Sequence, residues 1–360
     1  MKLKDKVRII HNLTIASMRT YDNESLYNVS YSHLTRFFEY SYRKHSQWKK
    51  ENLLVHRCCP ICNSGSTKLI LDNSGRDACK YSICLDCEFV YANPAPLEKK
   101  YNEIYESDYD GLGEWWVKQK EHYGVFQNDP DPALEFIKKR KKSGSFLDFG
   151  CGTGWTLKNA QDTYDVFGID MDDSRINKAR ELLSDIEKKK IKKLYELDES
   201  SLVEKFDIVY TNQALEHVLY PMQYLNKFYS WLKPGGILYL SCPASDSFAF
   251  KFLGKNNSMA TLGHVSLFNR KSLLYALKCT GFENIEIYHM CLDVTATEFW
   301  KKICGIKFLH RHSFIKNQFV MALLYPAMLI TTIILEGLMS KGILKGNYFY
   351  AFSKKPENVK

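Results

Sequence analysis

A run of three alternate glycines constrains the fold of this chain more than any other feature. Residues 146–149 read Phe-Leu-Asp-Phe, a short apolar strand that contains one acid. Glycine then occupies every second position, at Gly150, Gly152 and Gly154. Glycine lets the backbone turn sharply and approach a ligand where a side chain would clash. With a helix predicted from Trp155, this order of strand, glycine turn and helix predicts the nucleotide-binding end of a doubly wound α/β fold.

Polar residues end the neighbouring strands of the predicted sheet. Residues 165–170 form a second apolar strand that ends in Asp170. A carboxylate at this position can accept hydrogen bonds from both ribose hydroxyls of a bound nucleoside. A third strand at 206–212 ends in Asn212, and Asp148 lies beneath the glycine loop. These three side chains and the three glycines are the candidate residues for binding a nucleoside-containing cofactor. Asn212 could touch either that cofactor or the second substrate, which accepts the transferred group.

Four of the 11 cysteines form two Cys-x-x-Cys pairs. The pairs are Cys59 with Cys62, and Cys84 with Cys87. Four thiolates at this spacing can close a tetrahedral site that holds a structural zinc ion. Cys58 is adjacent and could compete, but the Cys-Pro-x-Cys spacing favours Cys59. The charged start of the chain is followed by no apolar segment of the signal-peptide type, so we expect a cytoplasmic protein with reduced thiols.

Four further segments follow the glycine loop along the chain. They read Gln-Ala-Leu-Glu-His-Val at 213–218, Leu-Lys-Pro-Gly-Gly at 232–236, Gly-His-Val-Ser-Leu-Phe at 263–268, and Gly-Phe at 281–282. Together with the glycine loop, they resemble the motifs of class I S-adenosylmethionine-dependent methyltransferases across residues 143–290. The resemblance implies a doubly wound, Rossmann-like sheet, S-adenosylmethionine as the cofactor, and methyl transfer as the reaction.

Three further strands of that fold are predicted from the residues. We predict the third parallel strand at 191–196, so that Glu196 or Asp198 could reach the adenine, and the residues do not decide between them. Strand six is predicted at 282–289. The last strand of the antiparallel hairpin is predicted at 347–354.

The residues after the second cysteine pair sharpen the resemblance. Residues 84–94 read Cys-Leu-Asp-Cys-Glu-Phe-Val-Tyr-Ala-Asn-Pro, and Tyr101, Tyr105 and Tyr109 follow. This segment resembles bacterial methyltransferases that carry an N-terminal zinc ribbon, including the deoxysugar C-methyltransferases. Glu88 replaces their usual glycine. The resemblance implies a small-molecule or glycan acceptor, such as a sugar, a nucleotide sugar or a lipid-linked saccharide.

Methyl transfer to oxygen or carbon requires a base that removes a proton from the acceptor. His217 is the first candidate because it lies just past the strand at 206–212, where an open α/β sheet presents its ligand crevice. Glu216 could orient the imidazole or hold the acceptor; alternatively, the pair caps the next helix. His264 is a second candidate base, and Tyr109 could line the acceptor pocket.

The identity of residue 213 indicates whether a catalytic metal is expected. Methyltransferases of the ubiquinone-biosynthesis type share the Glu-His pair, and some place a further acid three residues earlier to bind a divalent cation. Gln213 occupies that position here. We therefore expect neither a catalytic metal nor a quinone substrate.

One apolar segment follows the recognisable motifs. Between Lys316 and Glu336 the chain is uncharged, and residues 317–335 are mostly apolar. This stretch is either a helical hairpin that packs on the domain or on a partner, or a monotopic element that contacts the cytoplasmic membrane face.

The predicted organisation is a basic helical extension at 1–55, a zinc ribbon at 56–95, a helical linker or substrate cap at 96–142, the catalytic domain at 143–290, a hydrophobic helical insertion at 291–345, and a final strand and tail at 346–360.

Two other functions compete with a small-molecule methyltransferase. The formal net charge of +9 and the aromatic residues of the basic N-terminus would suit an RNA methyltransferase whose ribbon grips RNA. The segment at 213–218 instead resembles small-molecule enzymes, so nucleic acid is the less favoured partner. The second competitor is a non-catalytic zinc-ribbon binding protein, which the intact glycine loop disfavours. The oligomeric state is left open.

Overall fold

The computed structural model describes residues 42–72, 79–106, 132–183, 190–254, 260–290, 334, 338 and 344–357. Its strands form a seven-stranded sheet, a four-stranded sheet and a two-stranded pair within these residues. Tyr109 and most of the segment 317–335 lie outside them, as do residues 1–41 of the predicted extension. In the described part of the chain, no helix has both the length and the apolar character needed to cross a bilayer.

The N-terminal module consists of short strands around the two cysteine pairs. Its elements are α1 (42–50), β1 (Leu54–Val55), β2 (Thr67–Asp72), β3 (Lys80–Cys84), β4 (Val90–Ala92), β5 (Ala95–Pro96) and α2 (Glu98–Glu106). Strands β2, β3 and β4 pair antiparallel in that order, and β1 pairs antiparallel with β5. Each cysteine pair therefore lies at the turn side of a small antiparallel ribbon.

The second half of the chain alternates strands and helices. Its elements are α3 (Pro132–Arg140), β6 (Ser145–Phe149), α4 (Trp155–Ala160), β7 (Asp165–Asp170), α5 (Asp173–Leu182), β8 (Ile191–Lys193), β9 (Phe206–Asn212), α6 (Pro221–Trp231), β10 (Leu232–Pro243), α7 (Phe248–Leu253), β11 (Ser266–Leu267), α8 (Arg270–Thr280), β12 (Glu283–Met290) and β13 (Tyr348–Lys354). The helix predicted from Trp155 is confirmed, and α8 ends at Gly281, which has a φ of 101°. Only glycine adopts that conformation readily.

The seven-stranded sheet has the order β12-β13-β10-β9-β6-β7-β8. Strands β6 to β10 are parallel, and β13 runs antiparallel to both of its neighbours. The chain builds β6, β7 and β8 in one direction and then returns to place β9 on the other side of β6. This reversal opens a crevice at the carboxyl ends of β6 and β9. The predicted doubly wound α/β fold is confirmed.

The third predicted strand is shorter than expected. Residues Ile191–Lys193 form β8, and residues Leu194–Glu196 form a 3-10 turn instead of continuing the strand. The last pairing of β8 joins Lys193 to Asp170, which is the final residue of β7. Because β7 ends there and β8 lies at the edge of the sheet in the described part of the chain, the residues after Lys193 have no described strand to pair with. The predicted strands at 165–170 and 206–212 are confirmed to the residue.

Both faces of the parallel sheet are buried, as the apolar strands predict. On β9, Val209 belongs to one hydrophobic cluster, and its neighbours Ile208 and Tyr210 belong to the other. On β10, Leu238 and Tyr239 divide in the same way. Side chains of successive strand residues point to opposite faces, so helices must cover this sheet on both sides.

The N-terminal module and the sheet domain share a joint core. Strand β11 pairs antiparallel with β4, so a segment of the second half becomes the fourth strand of the ribbon sheet. The rings of Phe89 and Phe268 lie 4.8 Å apart across this junction. Cys84 and Cys87 pack in the same hydrophobic cluster as Trp231 of α6. The two parts therefore bury apolar surface against each other. The segment before β11 is held by both the N-terminal module and the sheet domain.

Asp207 ties together the amino-terminal ends of three strands. Its Oδ2 accepts hydrogen bonds from the Ser145 backbone N–H at 3.0 Å, from Ser145 Oγ at 2.9 Å and from Lys233 Nζ at 2.7 Å. Burial opposes ionisation of this carboxyl, but Lys233 and Ser145 outweigh it and hold its pKa well below the usual range. The ionised side chain therefore stabilises the fold.

We expect Asp207→Asn to lower the free energy of unfolding by about 1–3 kcal/mol near neutral pH, because a charged hydrogen-bond acceptor is lost. A depressed pKa contributes stability above the ordinary carboxyl value of 3.8, and this contribution declines as the pH falls below it. Urea unfolding at pH 7, 4 and 2 should show the gap between wild type and variant shrinking towards pH 2. Asp165→Asn is the control, because its exposed pairing with Lys190 should contribute little. A gap that stays constant with pH would contradict the assignment.

Candidate active site

The glycine loop between β6 and α4 has a left-handed backbone at each of its three glycines. The φ angles are 77° at Gly150, 52° at Gly152 and 82° at Gly154. A Cβ at Gly150 would lie 2.6 Å from Ala214 Cβ, and one at Gly154 would lie 2.8 Å from Ala179 Cβ. A Cβ at Gly152 would meet nothing within 4 Å. Gly150 and Gly154 thus allow close packing, whereas Gly152 borders open space that a ligand can approach.

Asp170 fastens this loop to the end of β7. One carboxylate oxygen accepts from the Gly152 N–H at 2.8 Å, and the other accepts from Met171 N–H at 2.7 Å and Asp172 N–H at 3.1 Å. The side chain is 8% exposed. The predicted ribose-binding acid is therefore also the residue that sets the shape of the glycine loop.

The backbone amides of the three glycines already donate to protein acceptors. Gly150 N–H bonds to Ile169 O, and Gly154 N–H bonds to Cys151 O. The amide of Gly152 bonds to Asp170, as described above. The backbone N–H groups of the three glycines therefore stabilise the tight turn itself.

The other two candidate cofactor residues lie at different depths. Asp148 is 3% exposed, and its strand register places it between Gly168 of β7 and Tyr210 of β9. Asn212 is exposed at the carboxyl end of β9, opposite Ser241 of β10. Asp148 can therefore act only from beneath the loop, whereas Asn212 can touch a ligand in the crevice.

Glu216, His217 and His264 come together beside the glycine loop. A 3-10 turn, Leu215–His217, follows β9 and carries the first two, whereas His264 comes from the segment before β11. The imidazole rings lie 4.8 Å apart and are steeply tilted, and one donor atom from each of the three side chains lies within 4.8 Å of the others. The sequence named all three residues, and the structure brings them into one cluster. Tyr109, named with them, lies outside the described residues.

The protonation of His217 follows from its hydrogen bond. Its Nδ1 lies 2.6 Å from the carbonyl oxygen of Gly263. A carbonyl only accepts, so Nδ1 carries the proton and Nε2 is left as the basic nitrogen. Burial and the neighbouring His264 lower the pKa of His217 to about 3. The imidazole is therefore neutral at physiological pH, which is the state that a general base requires.

Glu216 is buried without compensation. The side chain is 0% exposed, and neither carboxyl oxygen has a hydrogen-bond partner among the described residues. Burial raises its pKa to about 8, so the carboxyl is mostly protonated at neutral pH. The N-cap of the next helix, Tyr220, has no side-chain hydrogen bond, so the alternative that the Glu216–His217 pair caps this helix finds no support here. Buried polar groups left unsatisfied are rare in native structures, and a catalytic role is one explanation for them.

The four paired cysteines form a second cluster, in the N-terminal module. Sγ of Cys59 lies 3.5 Å from that of Cys87, and the same distance separates Cys62 from Cys84. Tetrahedral zinc thiolates have edges of about 3.8 Å, so this spacing fits a zinc ion. Exposed Cys58 lies outside the group, which supports the choice of Cys59. The three residues of the Glu-His-His cluster also meet the distance criterion for a metal, and the expected absence of a catalytic metal stays a prediction.

The contact between His217 and Gly263 was not predicted. The two residues are 46 positions apart, and a glycine carbonyl carries no sequence signal for such a bond. The segment 263–268 was recognised only as a motif. The pairing of β11 with β4 brings this segment close to His217.

Comparisons with known proteins agree with this architecture. Residues 124–287 match the family model described as a methyltransferase domain. A ubiquinone biosynthesis O-methyltransferase from Histophilus somni (strain 2336) is 27% identical over 137 residues, which cover 35% of this chain and 57% of the relative. The chain thus spans less than two thirds of this curated relative.

Solved structures of methyltransferases are similar at a lower level. The phosphoethanolamine N-methyltransferase 2 of Haemonchus contortus has a TM-score of 0.44 at 17% identity, covering 74% of this chain and 63% of its own. A possible histamine N-methyltransferase from Thermotoga maritima has a TM-score of 0.42 at 14% identity, covering 68% and 98%. The family match spans the glycine loop and the Glu-His-His cluster. Residues 124–287 therefore resemble a methyltransferase domain, in agreement with the class predicted from the sequence.

We expect Glu216→Gln to remove a pH dependence of stability. The folded protein keeps a proton on Glu216 that the unfolded chain releases above its ordinary pKa of 4.5. Wild type should therefore lose stability as the pH rises from 4.5 to 8, by up to about 4 kcal/mol, whereas the glutamine variant should not. Urea unfolding at pH 5, 6.5 and 8 measures the slope.

Glu199→Gln is the matched control, because Glu199 is an exposed carboxylate paired with Lys227. It should keep the wild-type slope. Equal slopes in wild type and Glu216→Gln would contradict the buried, protonated carboxyl. So would a slope that appears only after metal is stripped, since an ion would hold Glu216 ionised.

Proposed function

We propose that this protein transfers a methyl group from S-adenosylmethionine to an oxygen or carbon atom of a small molecule or glycan. The observation that carries the proposal is the placement of Glu216, His217 and His264 directly beside the glycine loop. Ala214, two residues before Glu216, packs against Gly150, where a Cβ would approach to 2.6 Å. Proton removal and cofactor binding would then occur on adjoining loops.

The cofactor would lie along the glycine loop, with Asp148 beneath it and Asp170 and Asn212 at its edge. When bound, it supplies a methyl group on a positively charged sulfur. Asp170 accepts three backbone hydrogen bonds, and a carboxylate offers about four lone-pair positions. One ribose hydroxyl can bond without disturbance. A bond to both hydroxyls requires one of the backbone donors to give way.

His217 would act as the general base through Nε2. A pKa of about 3 makes an isolated imidazole a weak base, so its partner matters. Loss of the proton from Glu216 would place a negative charge beside the ring and raise its basicity, because opposite charges favour the protonated form of a histidine. Glu216 and His217 would therefore work as a coupled pair, with His264 as a second proton acceptor within reach.

Two lines of support point to the acceptor class. The curated relative is named as an O-methyltransferase, which favours oxygen as the acceptor atom. The segment 84–94, with the tyrosines after it, resembles sugar-tailoring methyltransferases, which favours a sugar, nucleotide sugar or lipid-linked saccharide. A base serves all of these acceptors, since a hydroxyl group is only a weak nucleophile until its proton is removed and a C–H carbon becomes a nucleophile only when its proton is removed.

A paired titration tests the assignment of cofactor and base. S-adenosylhomocysteine should bind wild type in isothermal titration. It should bind Asp170→Ala much more weakly, because the glycine loop and the ribose lose the same carboxylate. His217→Gln should bind it like wild type, since the imidazole contacts the reaction and not the cofactor loop. A folded wild-type protein that binds no S-adenosylhomocysteine would sink the proposal.

Turnover separates the base from the binding residues. A panel of nucleotide sugars, lipid-linked saccharides and simple phenols, with labelled S-adenosylmethionine, identifies the accepted class. On the best acceptor, His217→Gln should lower kcat about 10²- to 10⁴-fold, the usual loss on removal of a general base. His56→Gln, in the N-terminal module, is the control and should keep full turnover. A His217→Gln enzyme with normal kcat would assign the base elsewhere.

We also propose that Cys59, Cys62, Cys84 and Cys87 hold a structural zinc ion. The sulfur spacing supports this, and four protein ligands would leave no open position for chemistry. The role would be mechanical, because these cysteines pack in the core that joins the module to the sheet domain.

Metal analysis of purified protein tests this zinc site. We expect one zinc per chain in wild type and in Cys58→Ser, and none in Cys87→Ser, which should also melt at a lower temperature. Cys58→Ser is the matched control because Cys58 adjoins the cluster but is exposed. Loss of metal in Cys58→Ser would contradict the ligand set. Metal that survives Cys87→Ser and disappears in His264→Asn would overturn the expectation of no catalytic metal.

A further inference from the structure

The carbonyl of Gly263 accepts two hydrogen bonds. One comes from His217 Nδ1–H at 2.6 Å, and the other comes from the hydroxyl of Tyr101 at 3.0 Å. A backbone carbonyl has two lone pairs, so it can accept both at once. Tyr101 is 1% exposed, which shields the pair of bonds from water. Tyr101 and the candidate base therefore share one acceptor.

A second tyrosine holds the backbone on either side of this carbonyl. The hydroxyl of Tyr81 donates to Thr261 O and lies 3.0 Å from His264 O. Tyr81 is 0% exposed. Together, Tyr81 and Tyr101 reach three carbonyls within residues 261–264, which is the segment that carries His264 and orients His217.

Both tyrosines belong to the N-terminal module. Tyr81 lies on β3, next to the second cysteine pair, and Tyr101 lies on α2. The module makes further bonds to the same region: Ala92 N–H donates to Val265 O at 3.0 Å. The guanidinium of Arg57 donates to Leu219 O at 2.6 Å, two residues after His217. The backbone around both histidines is thus anchored to the module.

We propose that Tyr81 and Tyr101 are positioning residues for the His217–His264 pair, and that the N-terminal module serves the active site through them. The proposal rests on the proposed function only in taking these histidines as the proton-transfer groups. The module would hold the Gly263 carbonyl in the orientation that keeps the proton of His217 on Nδ1. Nε2 would then be the ring nitrogen that accepts a proton.

The tyrosines act on the carbonyl, not on the imidazole. Without the Tyr101 hydroxyl, the Gly263 carbonyl loses one of its two hydrogen-bonded side chains and can reorient more easily. The Nδ1–H···O bond would open more often, and the ring would sample other orientations. A net hydrogen bond of ordinary strength corresponds to about a tenfold change in such an opening equilibrium.

Nitrogen-15 labelling of the histidines makes this measurable without a known acceptor. Full-length protein is labelled at the ring nitrogens, and the His217 resonances are assigned by their loss in His217→Gln. In wild type, we expect His217 protonated at Nδ1, with a slowly exchanging ring N–H at neutral pH. Tyr101→Phe should speed the exchange of that proton about tenfold. Tyr81→Phe should shift the His264 ring signals.

Tyr164→Phe is the matched control. Tyr164 is also a buried tyrosine whose hydroxyl donates to a backbone carbonyl, that of Lys141 at 2.7 Å, but it is remote from the histidines. If the tyrosines only stabilise the fold, all three phenylalanine variants should lower the melting temperature alike and leave His217 and His264 unchanged. That result would overturn the proposal, as would a wild-type His217 protonated at Nε2.

Folding and function are checked separately. Should Tyr101→Phe fail to fold, Tyr81→Phe alone still tests the proposal through the His264 signals. Titration of each variant with S-adenosylhomocysteine should give the wild-type affinity, because the glycine loop is held by Asp170 and not by the module. A wild type that binds no S-adenosylhomocysteine would count against the methyltransferase assignment, whereas the histidine exchange rates would still decide the positioning role.

Discussion

The packing of Gly150 against Ala214 determines how close the two halves of the site come. A side chain at position 150 would meet the Ala214 methyl group at 2.6 Å, so only glycine lets the segment after β9 lie on the cofactor loop. That segment continues directly into Glu216 and His217. The parallel register of β6 and β9 brings the two loops to one edge of the sheet, and the missing side chain then sets their distance.

The electrostatics of the site depend on this closeness. Glu216 is fully buried, with neither carboxyl oxygen hydrogen-bonded to a described residue, and His217 is held neutral, so the pair has little charge at neutral pH. A low-polarity environment strengthens each remaining electrostatic interaction. A positively charged donor bound on the adjoining loop would favour the ionised form of Glu216. In the proposed mechanism, cofactor binding and the basicity of His217 would therefore be coupled by charge.

The sequence allowed much of the sheet and most of the site to be predicted. Strands β7 and β9 are read correctly because each is an apolar run with a polar end, and Cys59 is preferred over Cys58 because of its spacing. The length of strand β8 is overestimated. The strand ends where its partner β7 ends, and the residues of β8 themselves carry no signal for that point. The bond from Tyr101 to Gly263 spans 162 positions, and β11 has two residues, so no local pattern could reveal either.

The same long-range contacts explain how a small cysteine module can matter to a distant reaction. Such a module has too few residues to bury a core alone, and its cysteines pack with residues of α6 and α8. Any metal that stiffens the ribbon would therefore also stiffen β4, the partner of β11, and with it the carbonyls that Tyr81 and Tyr101 hold. The glycine loop has a separate anchor in Asp170. In the proposed function, the shape of the cofactor loop and the orientation of the base would thus be held by different parts of the chain.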